Sequence, residues 1–278
     1  MNSTDNEARL DLQDVSAGYN GRPVLEHITF QAPHGSRIAV VGPNGAGKST
    51  LFKALVGLLP LRGGQITIHG LPLGAHQDCV AYVPQREEVD WRFPVTVRDV
   101  VMMGRYGRTG WWGRITRRDH ALVQRCLEAM GIAHLAGRSI RELSGGQQQR
   151  AFLARALAQE PHILLMDEPF TGIDAPTQQA TLELLDRLHE QQVTVLVSTH
   201  DLNMAAERFE RVLLLNHRVV AYGPPQEVFA AENVRQAFAG QALLMNGLVV
   251  VDECCPPGDE RLHSHAPAPS SDDKERLP

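Results

Sequence analysis

Alternation of apolar and polar side chains marks the N-terminal part of the chain, where residues 10–15 and 25–30 both follow this pattern. A period of two favours strands that bury one face. The dipeptide Asn20-Gly21 lies between the two segments and is a strong signal for a tight hairpin turn. The pattern predicts a first strand on which Leu10, Leu12 and Val15 face one way, and a return strand that contains Leu25, Ile28 and Phe30.

Short apolar runs without alternation follow at residues 37–42, 163–167 and 193–199. Such runs are typical of parallel strands that are covered on both faces of a sheet. Two further short strands are expected near residues 212–215 and 219–221, where they close the core.

Residues 86–160 have a different pattern, because their apolar positions recur with the period of a helix. The helical segments are bounded by Gly or Pro, and Thr116 and Ser144 are predicted N-caps. These segments are residues 96–104, 116–131 and 145–159. We therefore expect a helical subdomain that is inserted into the core of parallel strands.

Composition and charge exclude some classes of protein. The formal net charge is −5, and most of it lies from residue 252 onward, so the rest is near neutral and lacks the basic character of a nucleic-acid binder. No apolar run reaches the length of a membrane span, and the first residues lack a secretory signal. The four cysteines show no metal-ligand spacing, so thiols in a reducing compartment are expected. They are Cys79, Cys126, Cys254 and Cys255.

A glycine-rich loop follows the first parallel strand and precedes residues 49–59, which are apolar at helical spacing. Strand, glycine loop and helix are the context of a phosphate-binding loop. Glycines allow backbone N–H groups to point at one anion, and the helix N-terminus adds partial positive charge. Lys48 can reach terminal phosphates, and the Ser49 hydroxyl can ligate magnesium. The predicted loop residues are Gly42, Pro43, Asn44, Gly45, Ala46, Gly47, Lys48, Ser49 and Thr50.

Two further motifs identify the kind of phosphate-loop protein. Ser144-Gly145-Gly146-Gln147 begins the third helical segment, and the later strand at 163–167 ends in Asp167 and Glu168. With the phosphate loop, this order resembles the ATP-binding cassette (ABC) superfamily over about residues 10–229. The resemblance implies an α/β fold of the P-loop NTPase type, with a mixed, largely parallel sheet, an antiparallel β subdomain and the helical insertion.

The resemblance also implies roles in ATP hydrolysis. Magnesium is expected to contact Ser49 and Gln85, and Asp167 is expected to hold it mostly through water. Glu168 stands at the mouth of its strand, where a carboxylate can orient or deprotonate the attacking water. Gln85 can reach that water, and His200 is expected to hydrogen-bond the terminal phosphate. A loop histidine with an ordinary partner is the alternative for His200.

Three more features match the family. Tyr19 is expected to stack on adenine, although an aromatic side chain at a strand end also serves in packing alone. Asp174 belongs to the D-loop, and Ser144-Gly145-Gly146-Gln147 is the signature motif. In the family, the signature of one subunit closes over the ATP of another. The resemblance therefore implies a head-to-tail homodimer with two nucleotides at its interface.

The stretch from residue 89 to residue 107 narrows the function. It looks like the ATPase subunits of bacterial importers for manganese, zinc and iron, and most like the manganese branch. We expect an ATPase that energises metal import through membrane permease subunits, served indirectly by a periplasmic or lipoprotein metal-binding protein. Its expected location is the cytoplasmic face of the inner membrane. The alternatives are the ATPase of an iron-chelate importer and a soluble, non-transport ABC protein.

Trp91 and Phe93 are large apolar side chains within this stretch. Apolar residues on a loop often mark a contact surface, so we expect them to line a groove for a short permease helix. Ordinary packing beneath the loop of Gln85 is the alternative.

The predicted organisation has three parts. Residues 1–9 form an N-terminal extension, residues 10–253 form the ATPase domain, and residues 254–278 form a tail rich in Pro, Ser and charge that is expected to be disordered. His263 and His265 in this tail are expected to be solvated, with a metal-ligand role as the alternative.

Overall fold

The computed structural model describes a mixed α/β architecture for residues 8–75, 79–89, 93–109, 114–238, 242–245 and 248–251. The strands are β1 Ala8–Tyr19, β2 Arg22–Pro33, β3 Arg37–Val41, β4 Leu61–Ile68, β5 Leu71–Pro72, β6 Val80–Val83, β7 Ile163–Asp167, β8 Thr194–Thr199, β9 Arg211–Asn216, β10 Arg218–Gly223, β11 Ala242–Met245 and β12 Leu248–Val251. The helices are α1 Lys48–Leu55, α2 Val97–Thr109, α3 Arg117–Ala129, α4 Gly145–Ala158, α5 Ala175–Glu190, α6 Leu202–Arg208, α7 Pro225–Val228 and α8 Ala231–Phe238.

The larger sheet has the strand order β10-β9-β3-β8-β7-β6, and all of its pairs are parallel except β10 with β9. Its central strands are buried on both faces. On β3, Ala39 and Val41 belong to the apolar cluster that includes the helices on one side of the sheet, whereas Ile38 and Val40 belong to the cluster that includes the smaller sheet and α1. The expectation of parallel strands covered on both faces is therefore confirmed.

The smaller sheet is antiparallel, with the order β2-β1-β4-β5. Tyr19 pairs with Arg22, so Asn20-Gly21 forms the predicted two-residue turn, with φ of 46° and 82°. These positive φ values are those of a type I′ hairpin turn. A bulge between Leu12 and Val15 allows both residues to be buried on one face despite their odd spacing.

The helical subdomain consists of α2, α3 and α4, which pack against one another. Thr116 and Ser144 are N-caps in complete capping boxes, as predicted. The prediction that the first helix ends at Gly104 is wrong, because α2 continues to Thr109. Gly104 is a contact point between helices, since a Cβ there would lie 2.3 Å from the Arg155 carbonyl oxygen on α4.

Helix α1 ends at Leu55, although the apolar pattern continues to residue 59. Gly57 has a φ of 72°, which turns the chain away from the helix. In the described part of the chain, every helix falls short of the length and apolar character that a bilayer crossing requires. The predicted tail at 254–278, with His263 and His265, lies outside the described residues.

Candidate functional site

The phosphate loop connects β3 to α1, and its glycines are required by the backbone. Gly45 and Gly47 have φ of 82° and 100°, which favour glycine. A Cβ on Gly47 would lie 2.6 Å from Leu25, and one on Gly42 would lie 2.0 Å from the Leu215 carbonyl oxygen. The loop is therefore held tightly between the smaller sheet and β9, and its residues lead directly into the N-terminus of α1.

Lys48 is the first residue of α1, and its side chain turns back over the loop. Its Nζ donates to the carbonyl oxygens of Gly42 at 2.8 Å and Pro43 at 3.1 Å. Burial lowers the pKa of the Lys48 ammonium, and the charges of Glu168 and Asp167 oppose that shift. The ammonium thus lies inside the loop and close to the acidic end of β7.

Asp167 ends β7 and is 1% exposed. Its Oδ1 accepts a hydrogen bond from Ser198 Oγ at 2.5 Å, and its Oδ2 accepts one from Tyr82 Oη at 3.3 Å. Burial, followed by the charge of Asp167, raises the pKa of the Tyr82 hydroxyl, so this group remains a donor. The carboxylate is therefore fixed by two neutral donors from the neighbouring strands β8 and β6.

Glu168 follows Asp167 with a φ of 47°, which places this residue in the left-handed region. That conformation costs about 1–3 kcal/mol for a residue with a side chain. Backbone contacts offset the cost, because the Glu168 N–H donates to Ser198 Oγ at 2.8 Å and its carbonyl accepts from the Thr171 N–H at 3.2 Å. The turn directs the Glu168 carboxylate toward the phosphate loop.

A cleft of about 520 Å³ joins these groups. Most of its wall is backbone and side chains of the phosphate loop, and Gln85 and Glu168 complete it. The lining residues are Val24, Asn44, Gly45, Ala46, Gly47, Lys48, Ser49, Thr50, Gln85 and Glu168. Gln85 reaches the cleft because it follows β6, whose carboxyl end lies beside that of β7. The cleft therefore combines an anion cradle, an ammonium, an amide and a carboxylate.

His200 lies close to a residue that lines the cleft, whereas Tyr19 does not line the cleft as described. His200 follows β8, and its Nδ1 is 4.0 Å from Glu168 Oε2, with about half of its side chain exposed. Tyr19 is 44% exposed at the end of β1 and is not among the described lining residues. The structure thus brings His200 close to the Glu168 carboxylate, and the stacking role of Tyr19 stays a prediction.

The signature motif forms the N-terminus of α4 and closes on itself. Ser144 Oγ accepts from the Gln147 N–H at 3.4 Å, and the Ser144 N–H donates to Gln147 Oε1 at 3.0 Å. None of these residues is among those described as lining the cleft. One chain therefore does not bring its own signature motif to its phosphate loop.

Two contacts hold the signature motif within the chain. The guanidinium of Arg86 covers Gly145, since a Cβ there would lie 3.1 Å from Arg86 Cζ. Gly146 faces Thr177, whose hydroxyl would be 2.6 Å from an added Cβ. Asp174 caps α5 by accepting from the Thr177 N–H at 2.9 Å, and hydrogen bonding from Thr177 lowers the pKa of the Asp174 carboxyl. The D-loop therefore packs directly beneath the signature motif.

Several residues of the site belong to no motif that was recognised in the sequence. Ser198 and Tyr82 orient Asp167, Val24 lines the cleft and Arg86 covers the signature motif. Ser198 belongs to a predicted strand, but the pairing of this strand with β7 was not predicted from the sequence. The contact between Arg86 and Gly145 could not be predicted from the sequence, because it depends on how two segments that are far apart in the chain pack together.

Comparisons with known proteins agree with this geometry. The sequence profile of the family described as "ABC transporter" matches residues 25–171. The chain is 48% identical to the zinc transport system ATP-binding protein TroB of Treponema pallidum, over 84% of this chain and 87% of that protein. It is 44% identical to the manganese transport system ATP-binding protein MntB of Bacillus subtilis, over 87% of this chain and 97% of that protein.

A solved structure of an ATP-binding subunit of an ABC transporter has the same fold, with a TM-score of 0.68 and 27% sequence identity. The similarity covers 83% of this chain and 93% of that structure.

Proposed function

The chain belongs to the ABC transporter family, and we propose that it is the ATPase subunit of an importer for a transition-metal ion. It binds and hydrolyses ATP, and as the ATP-binding subunit of a transport system it works with a membrane permease. The proposed cargo is manganese, with zinc and then iron as the next choices. The observation that carries the ATPase assignment is the cleft in which the phosphate loop, Gln85 and Glu168 meet.

Each group of the cleft has a proposed task. The loop N–H groups and Lys48 bind the phosphates, since they supply donors and positive charge at the N-terminus of α1. Glu168 orients or deprotonates the attacking water. His200 lies 4.0 Å from Glu168 and registers the terminal phosphate, and Gln85 contacts the same water. Tyr19 supplies the face on which adenine stacks.

Magnesium fits the oxygen groups in and directly beside this cleft, since Ser49 and Gln85 line it and Asp167 precedes Glu168. Ser49, Gln85 and Asp167 offer hydroxyl, amide and carboxylate oxygens, which are the ligand types that this hard cation prefers. Two carboxylates face a single ammonium here, so a divalent cation offsets the excess of negative charge. We assign these three residues to the ion, whose chemical contribution is to neutralise charge that develops on the phosphates.

The catalytic unit is proposed to be a head-to-tail homodimer. The motif Ser144-Gly145-Gly146-Gln147 presents a second helix N-terminus that lies outside the cleft of its own chain. A second copy can bring this N-terminus over the nucleotide, where Asp174 lies next to it. The dimer thus completes each ATP site with groups from two chains.

Assembly with a permease places the subunit at the membrane as a peripheral protein, and we propose the cytoplasmic face. A metal-binding protein on the other side of the membrane acts through the permease. Phe93 is 60% exposed, which supports the proposal that it contacts a permease helix. Trp91 lies outside the described residues, and its role stays a proposal.

The choice of metal rests on residues 89–107 and on the relatives, which are named for zinc and for manganese transport. The test is elemental analysis of a strain that lacks the chain, grown under metal limitation. We expect cellular manganese to fall and to be restored by the wild-type chain but not by Lys48→Ala. Unchanged manganese, zinc and iron would contradict the import function, and loss of zinc alone would reassign the cargo.

A further inference from the structure

A cluster of metal-binding side chains lies at the opposite end of the strands that carry the catalytic residues. Cys79 directly precedes β6, which leads to Gln85, and His162 directly precedes β7, which leads to Glu168. His69 follows β4 of the smaller sheet. Three separate elements, from both sheets, therefore bring a thiol and two imidazoles together.

The geometry of these groups is close to that of a metal site. Their ligand atoms all lie within 4.8 Å of one another. His69 Nε2 and His162 Nδ1 are 3.1 Å apart, and the two rings are nearly perpendicular, at 89°. With metal–nitrogen bonds of about 2.0–2.1 Å, two imidazoles on one tetrahedral ion have nitrogens about 3.3 Å apart. The imidazole pair thus already has the required spacing, and the thiol sulfur lies within 4.8 Å of both nitrogens.

Backbone contacts position the three residues. The His162 N–H donates to the Cys79 carbonyl at 2.8 Å, and the His69 N–H donates to the Arg9 carbonyl at 3.0 Å. His69 has a φ of 52°, the left-handed conformation, at the turn between β4 and β5. These bonds belong to the ends of paired strands, so the cluster is supported by rigid parts of the fold.

Arg9 lies beside the cluster. Arg9 Nη1 lies 3.4 Å from His69 Nε2, and a guanidinium can only donate, so this nitrogen accepts with the lone pair that a metal ion would use.

We propose that His69, Cys79 and His162 form a binding site for a borderline divalent transition-metal ion, with zinc as the best fit. Imidazole and thiolate ligands suit zinc, whereas manganese and magnesium prefer oxygen donors. When the ion binds, the Cys79 thiol releases its proton to solvent and forms the metal–sulfur bond. On the side of His162, the site borders a cleft of about 550 Å³ that Arg9 and Glu160 also line.

This site is separate from the ATP cleft and does not depend on the proposed cargo. Its ion would join the smaller sheet, through His69, to the two strands that end in catalytic residues. Because the folded chain gathers ligands that are dispersed in the unfolded chain, zinc should raise the midpoint of thermal unfolding. Removal of the ion with a chelator should reverse this increase.

Cobalt(II) is the spectroscopic probe for the test, with the untagged full chain and no nucleotide. We expect one equivalent of cobalt to produce a thiolate charge-transfer band and tetrahedral d–d bands, and zinc to displace them. His162→Gln, His69→Asn and Cys79→Ser should each weaken binding by about a hundredfold or more, since even outer-shell changes cost about 10–100-fold. Asn tolerates the positive φ of residue 69.

Two controls separate this cluster from other ligands. Cys126→Ser removes a buried thiol elsewhere and should leave the spectrum unchanged. A chain in which Cys254, Cys255, His263 and His265 are all replaced should also keep the spectrum. If the band survives in Cys79→Ser, or is lost only in the tail variant, the proposal is wrong. ATP binding by each variant confirms that it is folded, and the exposed His162 keeps the test decisive if Cys79→Ser does not fold.

Discussion

The phosphate loop and the signature motif share one local design and differ in what surrounds it. Both contain glycines and both lead into a helix, α1 or α4, whose N-terminus can bind an anion. The phosphate loop surrounds a buried lysine and faces Glu168 across a cleft. The signature motif is closed by its own capping box and by Arg86. The same helix start therefore has two surroundings in one chain, a charged cleft in the first case and a closed cap in the second, and in the proposed dimer the second completes the cleft of another copy.

Lys48→Ala should have the largest effect, because it removes the positive charge from the cradle. We expect ATP binding and turnover to be lost while the fold is kept, since both hydrogen bonds described for Nζ go to loop carbonyls. Isothermal titration with ATP and a phosphate-release assay measure both quantities. The matched control is Lys53→Ala on the same helix, where the ammonium pairs with Glu88 at 2.6 Å and turnover should persist. Wild-type hydrolysis in Lys48→Ala would exclude the loop as the phosphate site.

Glu168→Gln should leave ATP binding intact and reduce hydrolysis by about 10²–10⁴-fold, the usual contribution of a general base. The amide has the same shape but cannot accept the proton from water, so the ATP-bound dimer should persist. Size-exclusion chromatography at high protein concentration should show an ATP-dependent dimer. Glu183→Gln, an exposed glutamate of α5, is the control and should hydrolyse normally. Normal turnover in Glu168→Gln would assign the base to another residue, with His200 as the next candidate.

A mixing experiment addresses the difference between the two motifs directly. Ser144→Arg fills the anion site of the signature motif with a side chain and removes the cap, at a cost to stability of about 1 kcal/mol. We expect each of Ser144→Arg and Lys48→Ala to be inactive alone. A mixture should regain partial ATPase activity, because a head-to-tail pair of the two contains one intact site. A mixture as inactive as its components would contradict the shared site.

Tyr19→Ala should have the smallest effect. Stacking of aromatic rings contributes about 0.5–1.5 kcal/mol, so KM for ATP should rise by up to about tenfold while kcat changes little. Tyr19→Phe keeps the ring and should behave like the wild type. An unchanged KM in Tyr19→Ala would assign this exposed side chain to the surface alone.

Local patterns predicted much of the fold because they act through local physics. Asn20-Gly21 supplies the positive φ values of its turn, and the caps at Thr116 and Ser144 need only residues three positions away. Strand β4 was not predicted, since Gly63-Gly64 interrupts its apolar pattern. Gly64 is needed there because a Cβ would lie 2.3 Å from the Asp14 carbonyl, at the bulge of β1.

In the candidate site, too, residues within one local motif could be predicted, and residues that meet from distant parts of the chain could not. Motifs with fixed spacing named the phosphate loop, Gln85, Asp167 and Glu168. The cluster of His69, Cys79 and His162 has no spacing that sequence reasoning could use, because its members meet only where β4, β6 and β7 come together. The cysteines indeed show no metal-ligand spacing along the sequence. Spacing alone could not reveal that Cys79 lies beside two histidines from other parts of the chain.

The position of Arg86 has a consequence for how two nucleotide sites communicate. Gln85 lines the cleft of its own chain, and the next residue rests on the Gly145 that its chain presents to a partner in the proposed dimer. In the proposed dimer, a shift of this segment on ATP binding would therefore move the motif that serves the other nucleotide. Linkage makes such coupling reciprocal, so each ATP should favour binding of the other. The saturation curve should then be sigmoidal, with a Hill coefficient above one, and Arg86→Ala should return it toward a hyperbola.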